Sequence, residues 1–300
     1  MSVKLRHYNR KTDIKRIGEF LVEHYQPENR DGNFFLPAWE YALTHPYFKD
    51  ELLDTFGVWE DNGEIAGVAH PEMYPGEAFF ELNPSYPQLK AEMLDYALKH
   101  LGGKAPNGQR CVLAFINDFD QEFEALARAH GFEIFPDFAR PMTQLPIPCP
   151  FPSITLPDGF RLQSLAEDNN LKQVTRVLWR GFNHGDEPPD DDMAGRRLMQ
   201  SAPHYRKDLN IVAVAPDGNY VAYAGTWFEA INKFCYIEPV CTDSSYRRLG
   251  LGRAAVLEGV RRCGELGATV ACVGSTQPFY LSMGFKKLHT CNCWRKFLDH

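Results

Sequence analysis

Apolar and polar positions divide the chain into short runs with two different periods. Around Lys4-Leu5-Arg6 and Arg161-Leu162-Gln163 the pattern is that of a strand. Asp13-Ile14-Lys15-Arg16-Ile17 and Asn170-Leu171-Lys172-Gln173-Val174 follow as helical starts. Residues 58–67 and 214–222 each predict a hairpin, turned at Asn62-Gly63 and Asp217-Gly218, where both central residues are expected at positive φ. Late in each half a helix runs into Gly-Phe, at Gly131-Phe132 and Gly284-Phe285. The glycine suits a left-handed helix end, and the phenylalanine opens the next strand. Phe234 to Thr242 alternate as a strand, and Pro239 inside it, unable to donate to a ladder, predicts a bulge or a strand end. Ala254 to Val260 then take the helical period, in a helix expected to end at Gly267.

The same order of elements thus occurs twice. Leu5 and Leu162 lie 157 residues apart, Gly63 and Gly218 155, and Gly131 and Gly284 153. So small a drift points to an internal repeat. Between the halves, Leu145-Pro146-Ile147-Pro148-Cys149-Pro150-Phe151-Pro152 can form neither a helix nor an interior strand, and reads as a semi-rigid linker. The expected organisation is two copies of one α/β domain, at 1–145 and 158–300, joined by a linker at 146–157. A length of 300 residues allows both.

Composition narrows the class. Hydrophobic residues make up 44% and charged residues 24%, ordinary for a soluble protein, and 21 phenylalanines can fill two cores. No apolar run approaches the ~20 residues of a membrane span, and no apolar core follows the basic residues near Met1. The expectation is a cytoplasmic protein without a membrane partner. A formal net charge of −7 argues against nucleic acid as a partner. The eight cysteines contain no C-x-x-C pair. Cys291 and Cys293 alone are weak metal ligands, so reduced thiols and no metal are expected.

Chemistry concentrates at Ser244-Ser245-Tyr246-Arg247-Arg248-Leu249-Gly250-Leu251-Gly252-Arg253, between the 234–242 strand and the helix after it. A glycine-rich strand-to-helix turn aims unpaired N–H groups at one spot, and the helix dipole makes that spot attractive to anions. Glycines let a diphosphate approach the backbone, and a Cβ at Gly250 or Gly252 is expected to enter its space. Arg247, Arg248 and Arg253 add positive charge. A P-loop is excluded because no Lys-Ser or Lys-Thr follows. Gly250-x-Gly252-x-x-Ala255 does satisfy the dinucleotide fingerprint. However, the next strand, Ala268 to Val273, ends without an acid, and only 48 residues follow Gly252, too few for that fold.

Arg-Arg-x-Gly-x-Gly after a strand, with Phe-Tyr-x-x-x-Gly-Phe some 30 residues later, resembles the GNAT superfamily of acyl-CoA N-acyltransferases. By element order the resemblance spans the C-terminal half, and by motif about 50 residues. It implies two tandem GNAT-like domains, each a mixed, mostly antiparallel sheet flanked by helices. It also implies acetyl-CoA as co-substrate, with its pyrophosphate on Arg247, Arg248, Leu249, Gly250, Leu251, Gly252 and Arg253, and its pantetheine arm along Val240, Cys241 and Thr242. Gln277 stands near where many relatives carry an asparagine that contacts this arm. Tyr280 matches the tyrosine that protonates the departing sulfur. Glu238, placed by simple alternation on one face with Tyr236, Val240 and Thr242, is a candidate general base, and His184 a second. In the family the acceptor wall often comes from the segment that here reads Asp186-Glu187-Pro188-Pro189-Asp190-Asp191-Asp192. With His184 it suggests a small, cationic primary amine as acceptor. A CoA-sensing module without turnover and an enzyme acting on protein amines are the alternatives.

The N-terminal half lacks these features. Asn83 to Lys90 replace the glycine turn, and Ala127 stands where the other half has Tyr280. This copy is expected to keep the fold without the cofactor site, and to shape the acceptor pocket or a homodimer contact.

Overall fold

A computed structural model describes residues 3–105, 107–189 and 193–298. The N-terminal half runs β1 (Lys4–His7), α1 (Asp13–His24), α2 (Leu36–Thr44), β2 (Gly57–Asp61), β3 (Glu64–His70), β4 (Glu77–Leu82), α3 (Leu89–His100), β5 (Gly103–Lys104), β6 (Arg110–Asn117), α4 (Gln121–Ala129), β7 (Glu133–Ile134) and β8 (Arg140–Pro146). The C-terminal half runs β9 (Arg161–Ser164), α5 (Leu171–Gly181), α6 (Ala194–Met199), β10 (Asn210–Val214), β11 (Tyr220–Glu229), β12 (Phe234–Thr242), α7 (Leu251–Glu265), β13 (Val270–Val273), α8 (Pro278–Leu281) and β14 (Lys286–Phe297). The repeat is therefore real, with one helix more in each copy (α2 and α6) than the alternation predicts.

Two compact units result, and neither is a continuous stretch. The first holds the chain up to Leu43, Tyr47–Met142 and the stretch from Lys287 onward. The second holds Thr44–Pro46 and Thr143–Lys286. In the first, the strand order is β1-β2-β3-β4-β6-β14, antiparallel except for β4 with β6. In the second it is β8-β13-β12-β11-β10-β9, antiparallel except for β12 with β13. Each parallel pair is joined by a crossover helix, α3 in one unit and α7 in the other, as parallel neighbours require.

The boundaries 1–145 and 158–300 are corrected at both ends. Thr143–Pro146 of β8 pair with β13 and belong to the second unit, while Cys291–Phe297 of β14 pair with β6 and belong to the first. Strand partners far apart in sequence leave no mark in local alternation. Residues 146–157 are not a free linker either. The Ile147 N–H donates to the Thr269 carbonyl at 2.9 Å, and Ile147, Phe151 and Leu156 pack on the cores of the second unit.

The two predicted hairpin turns differ. Asn62 and Gly63 both take positive φ, at 52° and 88°. In the second unit only Gly218 does, and Gly218 N–H bonds the Ala215 carbonyl around Pro216 and Asp217. Pro216, with φ fixed near −65°, favours this right-handed turn followed by a left-handed glycine, and the strands take up the extra residue as a register shift at Ala213/Val214. The helix-ending glycines Gly131 and Gly284 are left-handed as expected, at 80° and 101°.

Neighbouring residues of a strand face opposite sides of its sheet. In the second unit Tyr223 joins Val174, Val177 and Leu178 of α5, whereas Ala224 joins Ala255, Val256 and Val260 of α7. These two helices therefore cover opposite faces. Among the described residues no helix is long and apolar enough to cross a membrane.

Candidate functional site

The site is built on β12. Opposite β11, Val240 pairs with Ala224 and Ile237 with Thr226, so Glu238 and Pro239 together face Gly225. This is the bulge that Pro239 predicts. It presses the Glu238 carbonyl so close to Gly225 that a Cβ there would lie 2.4 Å from it, and the Trp227 indole N–H binds the same carbonyl at 2.9 Å. The extra residue reverses the alternation. Val240 faces the α7 core with Ile237, while Cys241 lies in the α5 core and its thiol donates to the Val177 carbonyl at 3.3 Å. The expectation that Glu238 and Tyr236 share a face with Val240 and Thr242 is therefore corrected: the bulge puts the two pairs on opposite sides.

The same stretch leaves its neighbour. Parallel pairing of β12 with β13 covers only Phe234, Cys235 and Tyr236. Beyond it one edge of β12 is open among the described residues. Asp243 N–H bonds the Val221 carbonyl of β11, so by the alternation of an antiparallel ladder Cys241 also turns its N–H to β11. Val240 and Thr242 turn theirs to the open edge. The Thr242 carbonyl on that side accepts from Arg247 Nε at 3.2 Å.

Asp243 ends the strand and caps the turn, its carboxylate accepting from Ser245 N–H at 2.9 Å. Burial pushes this carboxyl up, but the Arg180 guanidinium and the Ser245 N–H more than offset it and hold the group below its ordinary range. Arg247 reaches the Gly181 carbonyl (2.9 Å) and Asn183 Oδ1 (2.7 Å), fastening the end of α5 to the turn. Gly250 then takes φ +80° as the cap of α7, and Arg248 takes φ +67°. The first closed bond is Ala254 N–H to the Gly250 carbonyl at 2.9 Å. The N–H groups of Leu251, Gly252 and Arg253 precede the first possible intrahelical bond, and none has a backbone partner among the described residues. These three N–H groups form a cradle at the positive end of a 15-residue helix, where an anion is favoured.

The expected roles of the residues around this cradle separate. Arg248 makes no hydrogen bond or ion pair among the described residues and is exposed with Leu249, whereas Arg247 is tied to the backbone and Arg253 donates to the Ser282 carbonyl at 3.2 Å. A Cβ on Gly250 would meet nothing within 4 Å, so glycine is needed there for its left-handed backbone. A Cβ on Gly252 would lie 2.5 Å from Thr242 Oγ1, so its smallness seats α7 against β12.

Tyr280 stands on α8 beside this edge. Its ring is buried among Phe279, Phe285 and the α7 core. Burial, then the nearby Glu238 carboxylate and Cys241, push the phenol well above its ordinary range. It is held as an acid. Glu238 is half-buried and accepts from the Tyr236 hydroxyl at 2.9 Å. Gln277 precedes α8 and is exposed.

The remaining candidates lie after α5. His184 is exposed, its ring 5.1 Å from that of Trp179. Asp186 and Glu187 are exposed beside Arg180 (3.1 Å) and Arg176 (3.5 Å), which balance their charge. Asp190, Asp191 and Asp192 lie outside the described residues. Sequence reasoning misses the Arg180–Asp243 pair. Asp243 before Ser244-Ser245 carries a cap signal, but nothing local marks Arg180, 63 residues away.

In the first unit the equivalent edge is occupied. Parallel pairing of β4 with β6 stops at Ala78. Beyond it the Leu82 N–H donates to Asn33 Oδ1 at 2.7 Å, and Asn33 Nδ2 donates to the Leu82 carbonyl at 3.2 Å. At the start of α3, Leu89 and Lys90 N–H groups bond the Tyr86 and Pro87 carbonyls, closing the turn. Ala127 is fully buried.

The acetyltransferase (GNAT) family matches residues 171–285, and a search of curated proteins finds no match. Among solved structures, a GCN5-related N-acetyltransferase from Sphaerobacter thermophilus is 16% identical with a TM-score of 0.64, covering 98% of this chain and 95% of its own. A tandem GNAT protein from the clavulanic acid biosynthesis pathway is 14% identical with a TM-score of 0.63, covering 99% and 98%. An N-myristoyltransferase of Saccharomyces cerevisiae, solved with myristoyl-CoA, is 12% identical with a TM-score of 0.57, covering 98% and 78%. The fold of the whole chain is thus that of a tandem GNAT protein, and the open edge of β12, the N-terminus of α7 and Tyr280 all lie within the residues that the acetyltransferase (GNAT) family matches.

Proposed function

We propose that the second unit transfers an acetyl group from acetyl-CoA to a primary amine of a small acceptor, by direct attack of the amine. The observation that carries this reading is the open edge of β12 ending in the unpaired amides of α7, with Tyr280 beside it. The α7 amides and Arg248 suit a pyrophosphate, and the outward N–H groups of Val240 and Thr242 suit the amide-bearing arm and the thioester carbonyl. Bound acetyl-CoA supplies the activated acyl group.

The remaining chemistry falls to the chain's own residues. Glu238, hydrogen-bonded by Tyr236, takes the proton that the amine must lose before it attacks, directly or through one water. An N–H on the bulged strand steadies the negative charge that develops on the carbonyl oxygen. Tyr280, kept protonated by burial, gives its proton to the departing sulfur.

Two measurements on the intact chain test the reading: calorimetric titration with acetyl-CoA, and thiol release from acetyl-CoA in the presence of an amine panel. Saturable binding with amine-dependent thiol release is expected. Binding with release no faster than the spontaneous rate would make the unit a CoA-binding module instead.

A further inference from the structure

The acceptor side of β12 carries a cation that no described carboxylate neutralises. Arg196, on α6, is half-buried, and its nearest hydrogen-bonding neighbour is the Met199 thioether, with Nη1 to Sδ at 3.1 Å. Thioether sulfur is a weak acceptor. Other half-buried arginines of this unit each face a carboxylate: Arg176 faces Glu187, Arg180 faces Asp243, Arg206 faces Asp208 and Arg262 faces Glu258. Among the described residues Arg196 has no such partner. The Thr175 hydroxyl of α5 donates to the Met193 sulfur at the start of α6 at 3.3 Å, and Tyr205 just beyond α6 meets Tyr223 of β11, so α6 and Arg196 lie on the α5 side of the sheet.

That face is aromatic. The Tyr205 and Tyr223 hydroxyls meet at 3.4 Å, the Tyr205 ring packs edge-on to Trp227 at 5.6 Å, and Tyr236 holds the Glu238 carboxylate. The bulge keeps Glu238 with Tyr236 on this side rather than on the α7 side. A cation and an anion are therefore displayed over one aromatic floor, beside the edge where the acyl group is expected. A half-buried guanidinium without a carboxylate is costly unless a ligand supplies one, and its planar fork matches a carboxylate in two-point contact.

We propose that the acceptor is an amino carboxylic acid, with its carboxylate held by Arg196 and its amino group directed to Glu238. This rests on the acyl-transfer reading and narrows it. The ammonium form first gives up a proton, which Glu238 passes on to solvent. The neutral nitrogen then forms a bond to the acetyl carbon as the carbon–sulfur bond breaks. The nitrogen's surplus proton leaves through Glu238, and the sulfur takes the proton of Tyr280. The products are an N-acetylated amino acid and free CoA. The exposed acids Asp186 and Glu187, balanced by their own arginines, are not needed for this recognition.

The test compares α-, β- and γ-amino acids with their carboxamides and with the matching amines that lack the carboxylate, using thiol release by the full chain. The expected result is a kcat/KM for the best amino acid at least about 10- to 100-fold above its carboxamide, the range of a lost charged hydrogen bond. Arg196→Met should erase that preference mainly through KM, with acetyl-CoA affinity unchanged, and Arg196→Lys should restore part of it. Equal use of amino acid and carboxamide, or an equal loss on both in Arg196→Met, overturns the proposal. Turnover confined to amines without a carboxylate overturns it as well and leaves acetyl transfer standing. Turnover with no amine at all, despite acetyl-CoA binding, removes both readings.

Discussion

At the scale of single residues, the site depends on a phenol whose surroundings fix its protonation. Burial, with Glu238 and Cys241 nearby, raises the Tyr280 phenol above its ordinary value. A raised pKa keeps the acid form as pH climbs, so turnover should not fall near pH 10 through loss of this proton. Tyr280→Phe removes the proton and keeps the ring, and should lower kcat by about 100-fold, the scale of a general acid, with little change in acetyl-CoA affinity. Stopped-time thiol assays and calorimetry on the same variant separate the two effects, and an unchanged kcat would take Tyr280 out of the mechanism. Tyr280 is legible in the sequence because Phe-Tyr-x-x-x-Gly-Phe is local. Glu238 is only half legible. Its residue type and strand are readable, and Pro239 announces a bulge, but counting by twos carries Glu238 to the wrong face relative to Val240 and Thr242. One inserted residue reverses every side chain beyond it. Arg196 gives no signal at all, since what distinguishes it is its surroundings, where no described residue offers a carboxylate.

At the scale of elements, the seat of α7 on β12 decides whether its amides point at the ligand. Gly252 allows that seat, because any Cβ there would come within 2.5 Å of Thr242 Oγ1. Gly252→Ala should therefore lower the melting temperature, an overpacking cost of about 1–3 kcal/mol, and weaken acetyl-CoA binding with it. Adding Thr242→Ala removes the oxygen that the new methyl would strike, and both properties should recover. Thermal melts and calorimetry on the two variants check this. Recovery of the melting temperature without recovery of binding would mean that the ligand itself needs the space at Gly252. The strand, glycine turn and helix are readable from local period and turn chemistry, as are the left-handed Gly131 and Gly284. The exchange of β8 and β14 is not, since β-strands of like composition pair with any suitable edge and the choice is made by the rest of the fold.

At the scale of the whole molecule, one duplicated architecture carries one open edge that leads to a glycine turn. Both units keep a parallel pair bridged by a helix, at β4 and β6 and at β12 and β13, and in both the pairing stops early. Past that point the two edges diverge. In the second unit the edge stays open and leads to a left-handed Gly250. In the first, the Asn33 side-chain amide gives and takes a hydrogen bond at Leu82, occupying the edge as a bound amide would, and α3 begins with closed turns and no glycine. Titration of the intact chain should therefore give one equivalent of acetyl-CoA. Asn33→Ala removes both hydrogen bonds to Leu82 and should destabilise the first unit by about 1–3 kcal/mol, because it leaves a half-buried N–H and carbonyl unpaired. It should not create a second binding event, since an opened edge still lacks a phosphate cradle at its end. Two equivalents bound by the unaltered chain would show that α3 can supply a cradle without glycine. A second equivalent appearing only in Asn33→Ala would show that the plug, rather than the missing glycine turn, is what closes the first unit to the cofactor.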